Sequence, residues 1–170
     1  KALLPENLHF EAYDAIRMRR LPVEMADTGS RLGLFSSGHA VAACFERPGE
    51  APVKMPACCC VGEKTAARLR AHGQDVWEVA DSAANLAARL IKKYNERSFV
   101  YFCGNRRREE LPSALREAGM PLEEVVVYRT ELVQKSFSAP FDAILFFSPS
   151  GISSFVARND LKGVCAICIG

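Results

Sequence analysis

One short pattern occurs twice in this chain, and nothing else in it narrows the fold as much. Leu34-Phe35-Ser36-Ser37-Gly38-His39-Ala40-Val41 is matched by Leu145-Phe146-Phe147-Ser148-Pro149-Ser150-Gly151-Ile152, and Cys60-Val61-Gly62 downstream of the first copy is matched by Cys168-Ile169-Gly170 downstream of the second. Each copy reads as strand, serine-rich turn, helix, strand, glycine. Two similar α/β domains account for this duplication better than one domain does. The chain then crosses between them near residues 17–22 and again near 129–140. Both termini fall in one domain, and the other is inserted. The expected boundaries are 1–18 with 131–170 for a discontinuous first domain, truncated at both ends, and 22–128 for the inserted second domain.

The same alternation runs through the rest of the chain. Apolar runs at 32–35, 57–61, 75–79, 99–103, 125–128, 142–147 and 164–169 have strand length and are bounded by small or turn-forming residues. Between them lie segments of helical periodicity: one after Gly38, one over 63–71 closed by Gly73, one capped by Ser82, one starting near Glu110, and one after Gly151 with Ile152, Phe155 and Val156 inward. Pro112 places the arginines before it in a turn, because an interior proline costs a helix roughly 3 kcal/mol. A further strand is expected over 9–16, a helix tail over 1–4, a turn over 5–7 and a polar linker over 131–140. Strands alternating with helices imply right-handed crossovers and parallel sheets. Ligands of such sheets bind beyond the carboxyl ends of the strands, which here means a cleft where two such domains face each other.

Composition removes several function classes. The 22 basic and 20 acidic residues leave a net charge of +2, which does not announce nucleic acid or an anionic membrane. The longest apolar runs are far too short to span a bilayer, and no signal peptide is visible. Seven cysteines, an odd number with irregular spacing, argue against a secreted disulfide framework and for a reducing cytoplasm. In a strand, Cys58-Cys59-Cys60 would present its thiols to alternate faces, so the three cannot share one metal. Cys165 and Cys168 have a ligand spacing but no second pair nearby. Buried structural thiols are expected, with no metal site.

Four turns share one design: Ser36-Ser37-Gly38, Gly62-Glu63-Lys64-Thr65, Gly104-Asn105-Arg106 and Ser148-Pro149-Ser150-Gly151. Each follows a strand and precedes a helix, whose N-terminus offers free N–H groups and partial positive charge. Serine, glycine and asparagine also cap helices with no ligand present, so each turn alone supports either reading. Together they suit a large ligand with several negative groups. Arg106-Arg107-Arg108 reads as a solvated run or an anion contact. Tyr128, at the end of a strand beside the second crossing, reads as a boundary tyrosine or as a hydrogen-bonding group facing the cleft. His9, His39 and His72 are scattered, and no nucleophile–base set is visible.

These residues resemble the uroporphyrinogen-III synthase family. The resemblance rests on Phe102-Cys103-Gly104-Asn105, Arg108-Glu109, Leu111-Pro112, Ala114-Leu115, Gly119, and Val127-Tyr128-Arg129-Thr130. It continues through Phe146-Phe147-Ser148-Pro149-Ser150-Gly151 and Ile169-Gly170, with Val61-Gly62 and Thr65-Ala66 as a further motif. It implies two α/β domains joined by a two-strand linker with a cleft between them. It implies hydroxymethylbilane, a linear tetrapyrrole with eight carboxylates, as substrate. The reaction loses water, inverts ring D through a spiro intermediate and closes the macrocycle, with neither cofactor nor metal. Tyr128 matches the tyrosine that helps the hydroxyl leave. Ser36, Ser37, Gly62, Thr65, Gly104 and Asn105 would bind substrate from the inserted domain, and Ser148, Ser150 and Gly151 from the facing turn. A phenol, with an ordinary pKa of about 10, matches neutral pH poorly, so Tyr128 should contribute modestly and most of the catalysis should be geometric. The family's first strand is missing before Lys1, and a helix start with a final strand–helix pair is missing after Gly170, so a polypeptide ending at these residues is expected to be inactive. A monomer is expected, since no interface helix stands out. The alternative is a non-catalytic two-domain module that binds a polyanion.

Overall fold

The computed structural model describes residues 8–25 and 27–169. The expected helix tail and turn over 1–7 lie outside them, as does Gly170. The chain divides into two compact units, one of Lys1–Arg17 and Glu131–Gly170, the other of Met18–Thr130.

The larger unit is built on a six-stranded sheet in the order β1-β6-β5-β2-β3-β4. Its strands are β1 (Ile16–Arg20), β2 (Leu32–Phe35), β3 (Cys58–Val61), β4 (Val76–Ala80), β5 (Phe99–Gly104) and β6 (Leu122–Leu132), interleaved with helices α1 (Gly38–Phe45), α2 (Glu63–Ala71), α3 (Ala83–Lys93) and α4 (Glu110–Glu117). All pairings from β6 to β4 are parallel. At the β1 edge, the Leu21 N–H donates to the Val127 carbonyl and the Val133 N–H to the Ala15 carbonyl, each at 2.9 Å. The partners run in opposite order, so β1 is antiparallel to β6.

Helices cover both faces of this sheet, which explains why its central strands are apolar throughout rather than alternating. Phe99–Gly104 is buried along its whole length. Phe35, Cys58, Cys60 and Phe102 pack on one face with Val41, Cys44 and Leu69. Leu34, Cys59, Tyr101 and Cys103 pack on the other with Leu86, Leu90, Leu111 and Leu115. The three adjacent thiols thus alternate between two cores, as strand geometry requires. Each fully buried Leu or Phe contributes roughly 1.5–3 kcal/mol. Pro112 lies in the first turn of α4, where a missing N–H breaks no helical hydrogen bond.

The smaller unit carries the second copy of the repeat: β7 (Ala143–Phe146), α5 (Pro149–Val156) and β8 (Cys165–Cys168), with β7 and β8 parallel. The two copies share one register. Phe35 pairs with Cys60 in the first, and the equivalent Phe146 with Cys168 in the second. Phe155 stacks on Phe137 and meets Phe146 edge-on, each at 5.8 Å, and the buried Ser154 hydroxyl donates to the Val133 carbonyl at 2.6 Å.

Four expectations need correction. Cys165 and Cys168, expected among the buried thiols, are exposed, because β8 has no buried residue. The strand expected over 9–16 instead begins at Ile16 and runs to Arg20. Three of its five residues are arginine, and the alternation of Ile16 and Met18 with them is too short to mark a strand alone. Pairing with β6 makes it a strand. The polar linker over 131–140 gives its first two residues to β6. Val156, expected inward on α5, is 46% exposed. The buried stripe of that helix is Gly151, Ser154 and Phe155, and Val156 lies about 100° further round.

Candidate active site

Parallel strands bring their carboxyl ends to one edge. In the larger unit that edge collects, in sheet order, Tyr128 from β6, Gly104 and Asn105 after β5, Ser36 and Ser37 after β2, and Gly62 and Thr65 after β3. Neighbouring strands are about 4.8 Å apart, so these positions form a row of roughly 15 Å. Ser148, Ser150 and Gly151 hold the corresponding place after β7 in the smaller unit.

The site begins with a break in strand register. Phe102 pairs with Val125 and Cys103 with Val126, but Gly104 pairs with Tyr128, leaving Val127 as an extra residue on β6. Plain alternation would send residues 127 and 128 to opposite faces. Instead Val125, Val127 and Tyr128 all pack on the same core cluster, that of α1 and α2. The extra residue has re-aimed the tyrosine, as bulges beside functional sites do. Gly104 leaves room for it. A Cβ there would lie 2.4 Å from Tyr128 Cζ and 2.8 Å from its hydroxyl oxygen, so any side chain would displace the ring. Asn105 fixes the backbone on either side of Arg129: its N–H donates to the Tyr128 carbonyl at 3.2 Å, and its side-chain oxygen accepts from the Thr130 N–H at 2.9 Å.

Ser37 is the N-cap of α1, accepting from the His39 N–H at 3.1 Å. The neighbouring Ser36 hydroxyl shares a 2.6 Å hydrogen bond with that of Tyr101, whose pKa burial pushes up. Gly62 starts α2 with φ 84°, a conformation that favours glycine. The Thr65 N–H donates to the Gly62 carbonyl at 3.0 Å, and its side chain is buried. In the smaller unit Ser148 caps α5 and accepts from the Gly151 N–H at 3.2 Å, Pro149 takes the first helical position and Ser150 follows it. Ser148 and Gly151 also line an apolar pocket of about 390 Å³ among Phe10, Phe146 and Phe155. Tyr13 lines it too, and its hydroxyl is buried without a hydrogen-bond partner.

Of the arginine run, Arg107 is committed to structure: it bonds Glu124 and Glu109, and Arg116 joins the same two carboxylates. Arg106 and Arg108 are exposed. Among the described residues no group of His, Cys, Asp or Glu is arranged to hold a metal ion, and no helix is long and apolar enough to cross a membrane. Sequence reasoning passed over His39. Its ring lies 5.7 Å from that of Tyr128, from a different element far away in the chain, and the only signal for it was its place in the repeated turn.

Residues 17–170 match the HEM4 family, described as uroporphyrinogen-III synthase HemD. The fold is similar to the crystal structure of uroporphyrinogen-III synthetase from Helicobacter pylori 26695, with a TM-score of 0.72 and 20% identity over 92% of this chain and 76% of that one.

Proposed function

The chain belongs to the uroporphyrinogen-III synthase family, and from that premise we propose how it works. The substrate is hydroxymethylbilane, and its terminal hydroxyl leaves as water, ring D inverts through a spiro intermediate, and the macrocycle closes. The chemistry needs no cofactor. The phenol of Tyr128 donates a hydrogen bond to the departing oxygen. Carboxylates of the tetrapyrrole take N–H groups at the first turns of α1, α2 and α5, and Ser36, Ser37, Gly62, Thr65, Gly104, Asn105, Ser148, Ser150 and Gly151 bind the substrate. Holding a flexible chain so that ring D closes in the inverted sense supplies most of the acceleration, as positioning does elsewhere.

The observation that carries this reading, beside the family match, is the strand bulge that turns Tyr128 onto the face of α1 above a glycine that only an absent Cβ keeps open. The two-domain arrangement, with 1–18 and 131–170 as one domain and 22–128 as the other, belongs to the same proposal. The division of the chain near residues 17 and 130 supports it, as does the shared register of the two repeat copies. A monomeric state and a cytoplasmic location are further parts of the proposal.

The test is the isomer formed. Hydroxymethylbilane alone closes to the type I macrocycle. With the full-length protein it should give type III, read by separating the oxidised porphyrins. Type I product alone from a folded protein would overturn the proposal.

A further inference from the structure

Of the three histidines, two have other engagements or settings. His72 lies 3.2 Å from the Glu46 carboxylate and stacks on Phe45, and Glu46 also accepts from Arg68 at 2.8 and 2.6 Å. His9 is exposed in the smaller unit. His39 differs from both. It sits at the second position of α1, its own N–H is held by the Ser37 cap, and it is exposed. Among the described residues its imidazole makes one ring contact, a tilted one at 51° with Tyr128.

Besides the core cluster it packs on, Tyr128 has two boundaries at its ring. The Gly104 backbone occupies one, at a distance that admits no side chain. The imidazole of His39 occupies the other. Ring pairs with centroids 4.5–7 Å apart attract each other beyond the area they bury. Tyr128 is half-buried within β6 and packs against the core cluster of α1 and α2. The backbone is fixed by Asn105, but that bond does not reach the ring.

We propose that His39 is a positioning residue for Tyr128: its ring closes the slot over Gly104 and holds the phenol in the orientation the reaction needs. The role is one of shape. His39 acts through Tyr128 and does not itself touch the departing hydroxyl. This rests on the reading of Tyr128 given above.

Two measurements test it on the full-length protein. In the first, NMR of protein labelled on its tyrosine rings follows the Tyr128 resonance, assigned by its loss in Tyr128→Phe. His39→Ala should shift that signal and average its two ring edges, and His39→Phe should restore the wild-type pattern. An unchanged Tyr128 signal in His39→Ala would overturn the inference, whatever the turnover. In the second, His39→Ala should lower kcat about tenfold, the order expected from losing one aromatic pair, with KM little changed. His39→Phe should recover most of it, and His39→Ala should cost nothing further in a Tyr128→Phe background. Additive losses, or a His39→Phe variant as slow as His39→Ala, would overturn the inference. If the wild-type protein yields only the type I isomer, the functional reading fails instead, and the ring measurement still decides whether His39 positions Tyr128.

Discussion

The two copies of the repeat form the same local structure and meet different fates. Both make strand, serine-capped helix and parallel strand, with Phe35–Cys60 and Phe146–Cys168 in equivalent register. Yet every residue of β2 is buried, whereas β7 has one buried residue and β8 none. The difference lies in the neighbours. β2 is hydrogen-bonded on both sides, by β3 and β5, and helices lie over both faces of its sheet. Among the described residues β7 has only β8 beside it. A two-stranded sheet is marginal by itself, because it offers too little face to bury. Local pattern therefore decides what an element is, and the number of strands around it decides how much that element stabilises.

The sharpest way to break this comparison is to make one substitution at the equivalent leucines. Leu34 is fully buried and Leu145 is 47% exposed. Leu34→Ala should cost about 2–5 kcal/mol, through lost transfer energy and the cavity left behind. Leu145→Ala should cost less than about 1 kcal/mol, as at partly solvated positions generally. Urea unfolding reads both. Equal losses would mean that the second copy is as deeply packed as the first.

The thiols sharpen the same contrast by chemistry. Cys44, Cys58, Cys59, Cys60 and Cys103 are buried, and Cys165 and Cys168 are exposed. A thiol reagent at neutral pH should modify the last two quickly and the others only on unfolding. Burial pushes the Cys44 and Cys59 thiols up to about 12 and Cys60 up to about 11, from the ordinary 9.0, and raises Cys58 as well. A raised acid pKa stabilises the fold fully below pH 9. Above that the unfolded chain ionises first, so the contribution is lost as pH rises through 9 toward 12. The urea midpoint should fall over this window. Cys59→Ala should flatten the fall.

Most of the larger unit was legible because its signals are local. The apolar run of β5, the glycine and helix periodicity of α2, and the Ser82 cap of α3 can each be read within one window. β1 was not legible. Its alternation of Ile16 and Met18 with arginines is only four residues long, and a partner remote in sequence is needed to make it a strand. The candidate site divides in the same way. The row of turns follows from strand order once the sheet is known to be parallel. The aim of Tyr128 does not, because it depends on a one-residue mismatch between β5 and β6 that neither strand shows alone. Nor does the contact with His39. The arginines were conspicuous in sequence, but Arg107 is bound to Glu109 and Glu124 and serves the packing of α4 and β6.

The smallest expected effect asks whether anything in the two copies is independent of burial. Ser37 and Ser148 are equivalent residues, and each accepts a hydrogen bond from an N–H in the first turn of its helix, at 3.1 and 3.2 Å. A cap satisfies a donor that would otherwise face water or nothing, so its worth depends on the helix end and hardly on the strand before it. Ser37→Ala and Ser148→Ala should therefore each cost about 1 kcal/mol, and the glycine variants only a few tenths. Hydrogen exchange of the first-turn amides of α1 and α5 resolves the two sites separately. If Ser148→Ala left the α5 amides unaffected while Ser37→Ala loosened those of α1, the cap too would depend on the surrounding sheet, and the likeness of the copies would end at their sequence.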